Sequence, residues 1–148
     1  MPGLRRSLGL EPIPVEGGWF RVTWRTAAAG AILALFTDEP AGFSALHRLR
    51  VAELWFFHAG GPFDLLLLHP DGSSTDVVVG ADVGRGQVPQ VAVGAGTWMG
   101  GAPREQWTLL STVTVPAFTD DAFSAGSRAE LVAAYPDRRA DIERLTRE

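Results

Sequence analysis

The stretch Phe43-Ser44-Ala45-Leu46-His47-Arg48-Leu49-Arg50-Val51-Ala52-Glu53-Leu54-Trp55-Phe56-Phe57-His58-Ala59-Gly60 decides how this chain folds. It holds two short apolar runs, 43–50 and 53–59, rich in aromatic and branched side chains and closed by a glycine. Runs of that length and composition read as strands. Working outward, similar runs recur at 19–25, 31–36, 63–69, 75–79, 88–93 and 107–115, each bounded by Gly, Pro, Asp or Ser. His69-Pro70-Asp71-Gly72 places Pro and Gly where a tight turn wants them, and Gly60-Gly61-Pro62 and Gly94-Ala95-Gly96 are further breaks. Evenly spaced short strands with turn signals between them predict an all-β barrel or sandwich.

Little before residue 126 reads as helix. After it the character changes. Ser127 is placed to cap a helix over 129–135, with Glu130 three residues on as its capping-box partner. Pro136 then punctuates, and 137–147 reads as a second short helix with Ile142 and Leu145 on one face. The expected organisation is one domain over 1–148, with a β-barrel in 1–126 and a short helical tail in 127–148.

Composition narrows the function classes. With 148 residues, 46% hydrophobic and 20% charged, the chain is an ordinary globular sequence able to bury one core. The formal net charge of -4 argues against a nucleic-acid partner. There is no cysteine, which removes disulfides, thiolate metal sites and Cys nucleophiles together. Arg5 and Arg6 are followed by no apolar segment of signal-peptide length, and no run is long enough to cross a bilayer. The expectation is a cytoplasmic protein with no membrane partner. All thirteen basic residues are arginine and there is no asparagine, which reads as the codon bias of a GC-rich genome. A tailoring step in secondary metabolism would suit such a source.

If 43–50 and 53–59 form an antiparallel hairpin turning near Arg50, His47 and Glu53 lie on one face and nearly opposite each other. A carboxylate so placed fixes the tautomer of a histidine, or shares a metal ion with it. Alternation along the strand puts Trp55 and Phe57 on the face of Glu53, a dry setting that shifts pKa values. Arg21 shares a face with Trp19, Thr23 and Arg25, where it is either a solvated edge residue or a clamp for an anionic group. Gln90 either projects inward as a hydrogen-bonding group or ties down a turn. Trp98 serves the core or the barrel mouth. His58 and His69 read as structural or exposed. The charges of 138–148 read as the solvated face of a helix.

These residues resemble a family. His47, Glu53 and Gly60 look like the first cupin motif, in which two histidines and a glutamate bind a divalent metal, and 94–99 stands at the place of the second. The wider pattern is similar to the small single-domain cupin branch catalogued as a domain of unknown function. It includes Glu16-Gly17-Gly18-Trp19-Phe20-Arg21, Ser44 to His47, Glu53-Leu54-Trp55, Pro70-Asp71-Gly72, Pro89-Gln90-Val91, Ala95-Gly96-Thr97-Trp98 and the closing helices. The resemblance implies a double-stranded β-helix, the cupin or jelly-roll barrel, with a small-molecule site inside it.

The departures limit what else it implies. Leu49 stands at the second histidine position and Met99 at the last metal-ligand position. Catalytic metal sites usually keep three protein ligands, and a thioether suits hard ions poorly. Hence no cofactor is expected, with His47 and Glu53 as the ligands should a divalent metal bind after all. The resemblance implies an isomerase, epimerase, cyclase or lyase working by proton transfer on a small polar or anionic metabolite. His47 and Glu53 would be catalytic, and Arg21, Trp55, Phe57, Gln90, Trp98 and Met99 would contact substrate. The alternative is a cupin that binds a small ligand and does no chemistry. A homodimer is expected, because the strand over 19–25 is apolar on both faces.

Overall fold

The structure, a computed structural model, describes residues 2–147. The order is helix α1 (Pro2–Leu8), then strands β1 (Glu11–Pro12), β2 (Trp19–Arg25), β3 (Gly30–Thr37), β4 (Ser44–Leu49), β5 (Ala52–Gly60), β6 (Phe63–Leu68) and β7 (Ser74–Val79). There follow β8 (Gln90–Val93), β9 (Trp98–Pro103), β10 (Trp107–Val115) and β11 (Phe123–Ala125), and last helices α2 (Arg128–Ala134) and α3 (Arg139–Arg144). No helix among the described residues is long and apolar enough to cross a membrane.

The strands form two antiparallel sheets. One runs β1-β2-β3-β10-β5-β8 and the other β11-β4-β9-β6-β7. Alternating residues of both meet in a common core of Ala34, Phe36, Leu49, Trp55, Phe63, Leu65, Leu67, Val79, Val93, Met99 and Leu110. This is the double-stranded β-helix. The apolar run of β6 has a simple cause: Phe63, Leu65 and Leu67 face this core, while Leu66 and Leu68 face a second one. That second cluster lies between the smaller sheet and the tail, with Leu46, Leu131, Tyr135, Ile142 and Leu145 in it. A strand buried on both sides needs no polar alternation.

The capping reading of Ser127 holds, since its hydroxyl accepts from the Glu130 backbone N–H at 3.5 Å. Ile142 and Leu145 are both buried, as their shared face predicts. Three local expectations fail. Residues 2–8 form a helix that periodicity does not announce; its Arg5 lies 3.5 Å over the Trp19 ring and pairs with Glu39 at 2.5 Å. The break at 94–96 holds, but the expected strands leave out Trp98–Pro103, which forms β9. Gly100 and Gly101 sit there because a Cβ would strike neighbouring strands: at Gly100 it would lie 2.9 Å from the Leu46 nitrogen.

The third failure bears on the site. β4 and β5 are not a hairpin. β4 pairs with β9 and β11, whereas β5 pairs with β10 and β8, so the chain turns a corner from one sheet to the other at Arg50-Val51. His47 and Glu53 therefore enter the barrel interior from different sheets and are not partners across a ladder.

Candidate functional site

A cavity of about 390 Å³ opens between the sheets, within the size range of small-molecule sites. His47 of β4, Glu53 and Trp55 of β5, and Thr112 and Thr114 of β10 all line it. The remaining wall is mostly apolar, with Phe20, Ile32, Phe36, Leu49, Phe118 and Phe123 among its residues. His47 and Glu53 are thus in one pocket, but His47 has a different polar partner from the one expected. Its Nε2 lies 3.8 Å from Oε1 of Glu16.

Glu16 is the site residue that sequence reasoning passed over. It precedes Gly17 and Gly18, whose φ angles of 101° and 78° only glycine adopts readily. The turn is tied on every side. The Gly18 N–H donates to Ala41 O at 3.0 Å, and Ile13 N–H donates to Gly18 O at 2.9 Å. From the far end of the chain, Arg147 donates to the Glu16 carbonyl at 2.9 Å and to Phe43 O at 2.8 Å. The carboxylate then accepts from Ser44 Oγ at 2.6 Å. A carboxylate before two glycines was the available signal, since that is how a turn presents one side chain. Val15, next in the same loop, has φ 66°, a strained value for a β-branched residue.

His47 is 2% exposed and stacks on Phe123 with ring centroids 5.5 Å apart. Its Nδ1 is 2.8 Å from Ala45 O. A carbonyl can only accept, so Nδ1 carries a proton and Nε2 is the ring nitrogen turned toward Glu16 and the cavity. Glu53 is buried in the same cavity in different circumstances. Burial, followed by the nearby Glu16 carboxylate, pushes its carboxyl from 4.5 up to about 8, against a smaller downward pull from Trp55. The Trp55 indole N–H is close enough to Glu53 to exert that pull, yet makes no hydrogen bond of normal geometry and is otherwise without a partner. Glu53 is accordingly a neutral acid at pH 7.

The other expected contacts lie elsewhere. Arg21 pairs with Leu33 on the outward side of β2 and is exposed, whereas Phe20 and Val22 point into the cavity. A bulge between Val22 and Trp24 shifts the strand, so that Arg25 and not Arg21 reaches the cavity mouth. Phe57 packs against the core without lining the cavity. Gln90 is exposed opposite Phe56, on the outward face of β8. Trp98 packs in the helix-side cluster under Arg48, whose guanidinium is 4.5 Å from its ring. Met99 pairs with His47 across the ladder and is 1% exposed in the core, filling space and not lining the cavity.

A divalent metal, implied by the cupin resemblance, does not fit these residues. Leu49 and Met99 supply a hydrocarbon and a buried thioether where ligands would stand. Among the described residues no three His, Asp or Glu side chains are grouped to hold an ion. Added Zn²⁺, Mn²⁺ or Ni²⁺ is expected to leave the melting temperature unchanged. A rise of several degrees at stoichiometric ion, abolished in His47→Ala, would restore the metal site.

Two antiparallel sheets closed around a ligand-sized cavity define a cupin barrel. The chain belongs to the Cupin_5 family, described as "Cupin superfamily (DUF985)", whose model matches residues 4–126. A protein of Shewanella oneidensis is 32% identical over 98% of this chain and 96% of its own, with a TM-score of 0.90. A hypothetical protein from Leishmania major is 28% identical over 99% and 98%, with a TM-score of 0.89. A Streptomyces PAC13 variant solved with uridine is 15% identical over 80% and 85% at a TM-score of 0.55, a likeness of fold alone. Curated proteins gave no match.

Proposed function

We propose that this cupin catalyses metal-independent proton transfer on a small polar carbonyl compound, as an isomerase, epimerase or lyase. The observation that supports it is one apolar cavity lined by two titratable groups in different settings: a carboxyl that burial keeps protonated, and an imidazole whose Nδ1 is tied to a carbonyl so that Nε2 is left for the substrate. His47 Nε2 takes the proton from the carbon next to the carbonyl while Glu53 gives its own proton to the carbonyl oxygen, forming an enol. The Glu16 carboxylate stabilises the imidazolium that results. Return of the proton to the neighbouring carbon isomerises the substrate. Return to the opposite face epimerises it, and loss of a β-substituent makes the reaction an elimination.

The test is exchange in D₂O. Small hydroxyaldehydes, hydroxyketones and keto acids are incubated with the protein, and deuterium uptake at carbon is followed by NMR. At least one compound is expected to exchange, with the rate falling about 10²- to 10⁴-fold in His47→Gln and in Glu53→Gln. Because Glu53 must be protonated to act as acid, the wild-type rate should fall as pH rises through about 8. Uptake that is absent throughout, or equal in both variants, would leave a ligand-binding cupin without chemistry.

A further inference from the structure

Inside the cavity, hydrogen-bonding capacity is present but unspent. The Trp55 indole N–H is buried in a residue that lines the pocket, and although the Glu53 carboxyl is near enough to feel it, it makes no hydrogen bond of normal geometry. A buried donor left open costs stability unless something fills it, so it marks where an acceptor belongs. Beside it stands Glu53, which adds an O–H donor at neutral pH. Glu16 supplies an acceptor on another side of the cavity. The inner end therefore calls for a group that both accepts and donates.

Charge restricts the choice further. The formally ionisable residues lining the cavity, besides His47, are Glu16, Glu53, Asp120 and Arg25. Arg25 and Asp120 are exposed, so no arginine stands within the interior to pair with an anion, and Glu16 already faces the His47 ring. A carboxylate or phosphate pressed in there would meet Glu16 in an apolar setting, which is doubly unfavourable. An ammonium could pair with Glu16 but would leave the Trp55 and Glu53 donors facing another donor. The rest of the wall is aromatic and aliphatic, with Phe20, Trp24, Phe36, Phe118 and Phe123 in it.

We infer that the cavity takes a neutral ligand with a flat apolar body and a vicinal hydroxyl-carbonyl pair at its inner end, and not an anion or an ammonium. The inference rests on reading this cavity as the working site and narrows the substrate class there. It replaces the anionic metabolite that Arg21, now on the outer surface, had implied.

Three probes share a phenyl ring and a two-carbon arm and differ in charge: 2-hydroxyacetophenone, mandelate and 2-amino-1-phenylethanol. Their affinities for the full chain are measured at pH 6.5 by two-dimensional NMR titration. The neutral hydroxyketone is expected to bind at least about ten-fold tighter than either ion. It should also move the Trp55 indole N–H resonance in the wild-type protein. Trp55→Phe should weaken the hydroxyketone about five-fold, the weight of one buried hydrogen bond, and leave the two ions unaffected. The indole resonance keeps the test independent of how well that variant folds. Equal or tighter binding of mandelate or the amine, an unmoved indole resonance, or no binding of the hydroxyketone at about 10 mM would overturn the inference. Binding is read here without turnover. A bound neutral ligand with no deuterium exchange would sink the catalytic reading alone, and exchange confined to an anion would sink the ligand class alone.

Discussion

Glu53→Gln is expected to be more stable than the wild-type protein above pH 8, by roughly 4–5 kcal/mol, and about equal to it below pH 4.5. In the unfolded chain the carboxyl loses its proton near pH 4.5, whereas in the folded protein burial and Glu16 hold the proton to about pH 8. Between those values the folded state binds one proton more than the unfolded state. Stability supplied by this group is therefore full below pH 4.5 and falls by about 1.4 kcal/mol per pH unit until about pH 8. Glutamine keeps the shape and the polar atoms but has nothing to ionise, so its curve lacks that slope. Urea unfolding of both proteins across pH 4 to 9 isolates the difference, because every other group is common to the pair. Parallel curves would mean that Glu53 is ionised at neutral pH, and the general-acid role would fall with it.

The second large effect is expected from Gly17→Ala, a loss on the order of 3 kcal/mol together with a change in how Glu53 titrates. At φ 101° an alanine is strained, and its Cβ would lie 2.6 Å from the Phe43 carbonyl oxygen and overlap the Arg147 guanidinium. Relief requires the turn to shift, and Glu16 shifts with it, away from Ser44 and His47. Glu53 then loses the second of the two influences that raise it, so its titration should move down from about 8. Chemical denaturation reads the first effect and carboxyl carbon NMR the second. Gly72→Ala is the control, since Gly72 has φ 91° but nothing within 4 Å of an added Cβ. Equal losses in the two variants and an unmoved Glu53 would show that Gly17 answers only a backbone requirement and that Glu16 is held by other means.

The fate of each expected contact follows from which interactions are local. His47, Glu53 and Trp55 reach the cavity because strand alternation decides the face a side chain takes, and alternation is carried by neighbours in sequence. The same rule puts Arg21 on the face opposite Phe20 and Val22, but nothing in the strand itself tells which of its two faces, each carrying apolar residues, will close the cavity. Trp98 and Met99 are adjacent and have opposite fates, one under the tail helices and one in the barrel. Nothing in β9 itself tells which side the tail will cover.

Read by itself, the order of residues determined a good deal. Short apolar runs between Gly and Pro turns dictate an all-β chain with little freedom to be anything else. Ser127 starts the tail, and the inward parity of His47 and Glu53 puts two titratable groups in a dry interior. Strand identity, turn position and side-chain face are all settled within a few residues, where bonded geometry and periodicity act. Tertiary structure alone decided the partners. It sent β4 and β5 into different sheets, so that His47 meets Glu16 and not the glutamate six residues on. It clamped Glu16 with an arginine 131 residues away. It also left the Trp55 N–H open and Glu53 protonated. Burial, desolvation and charge proximity depend on which distant segments close around a group, and that is a property of the assembled barrel.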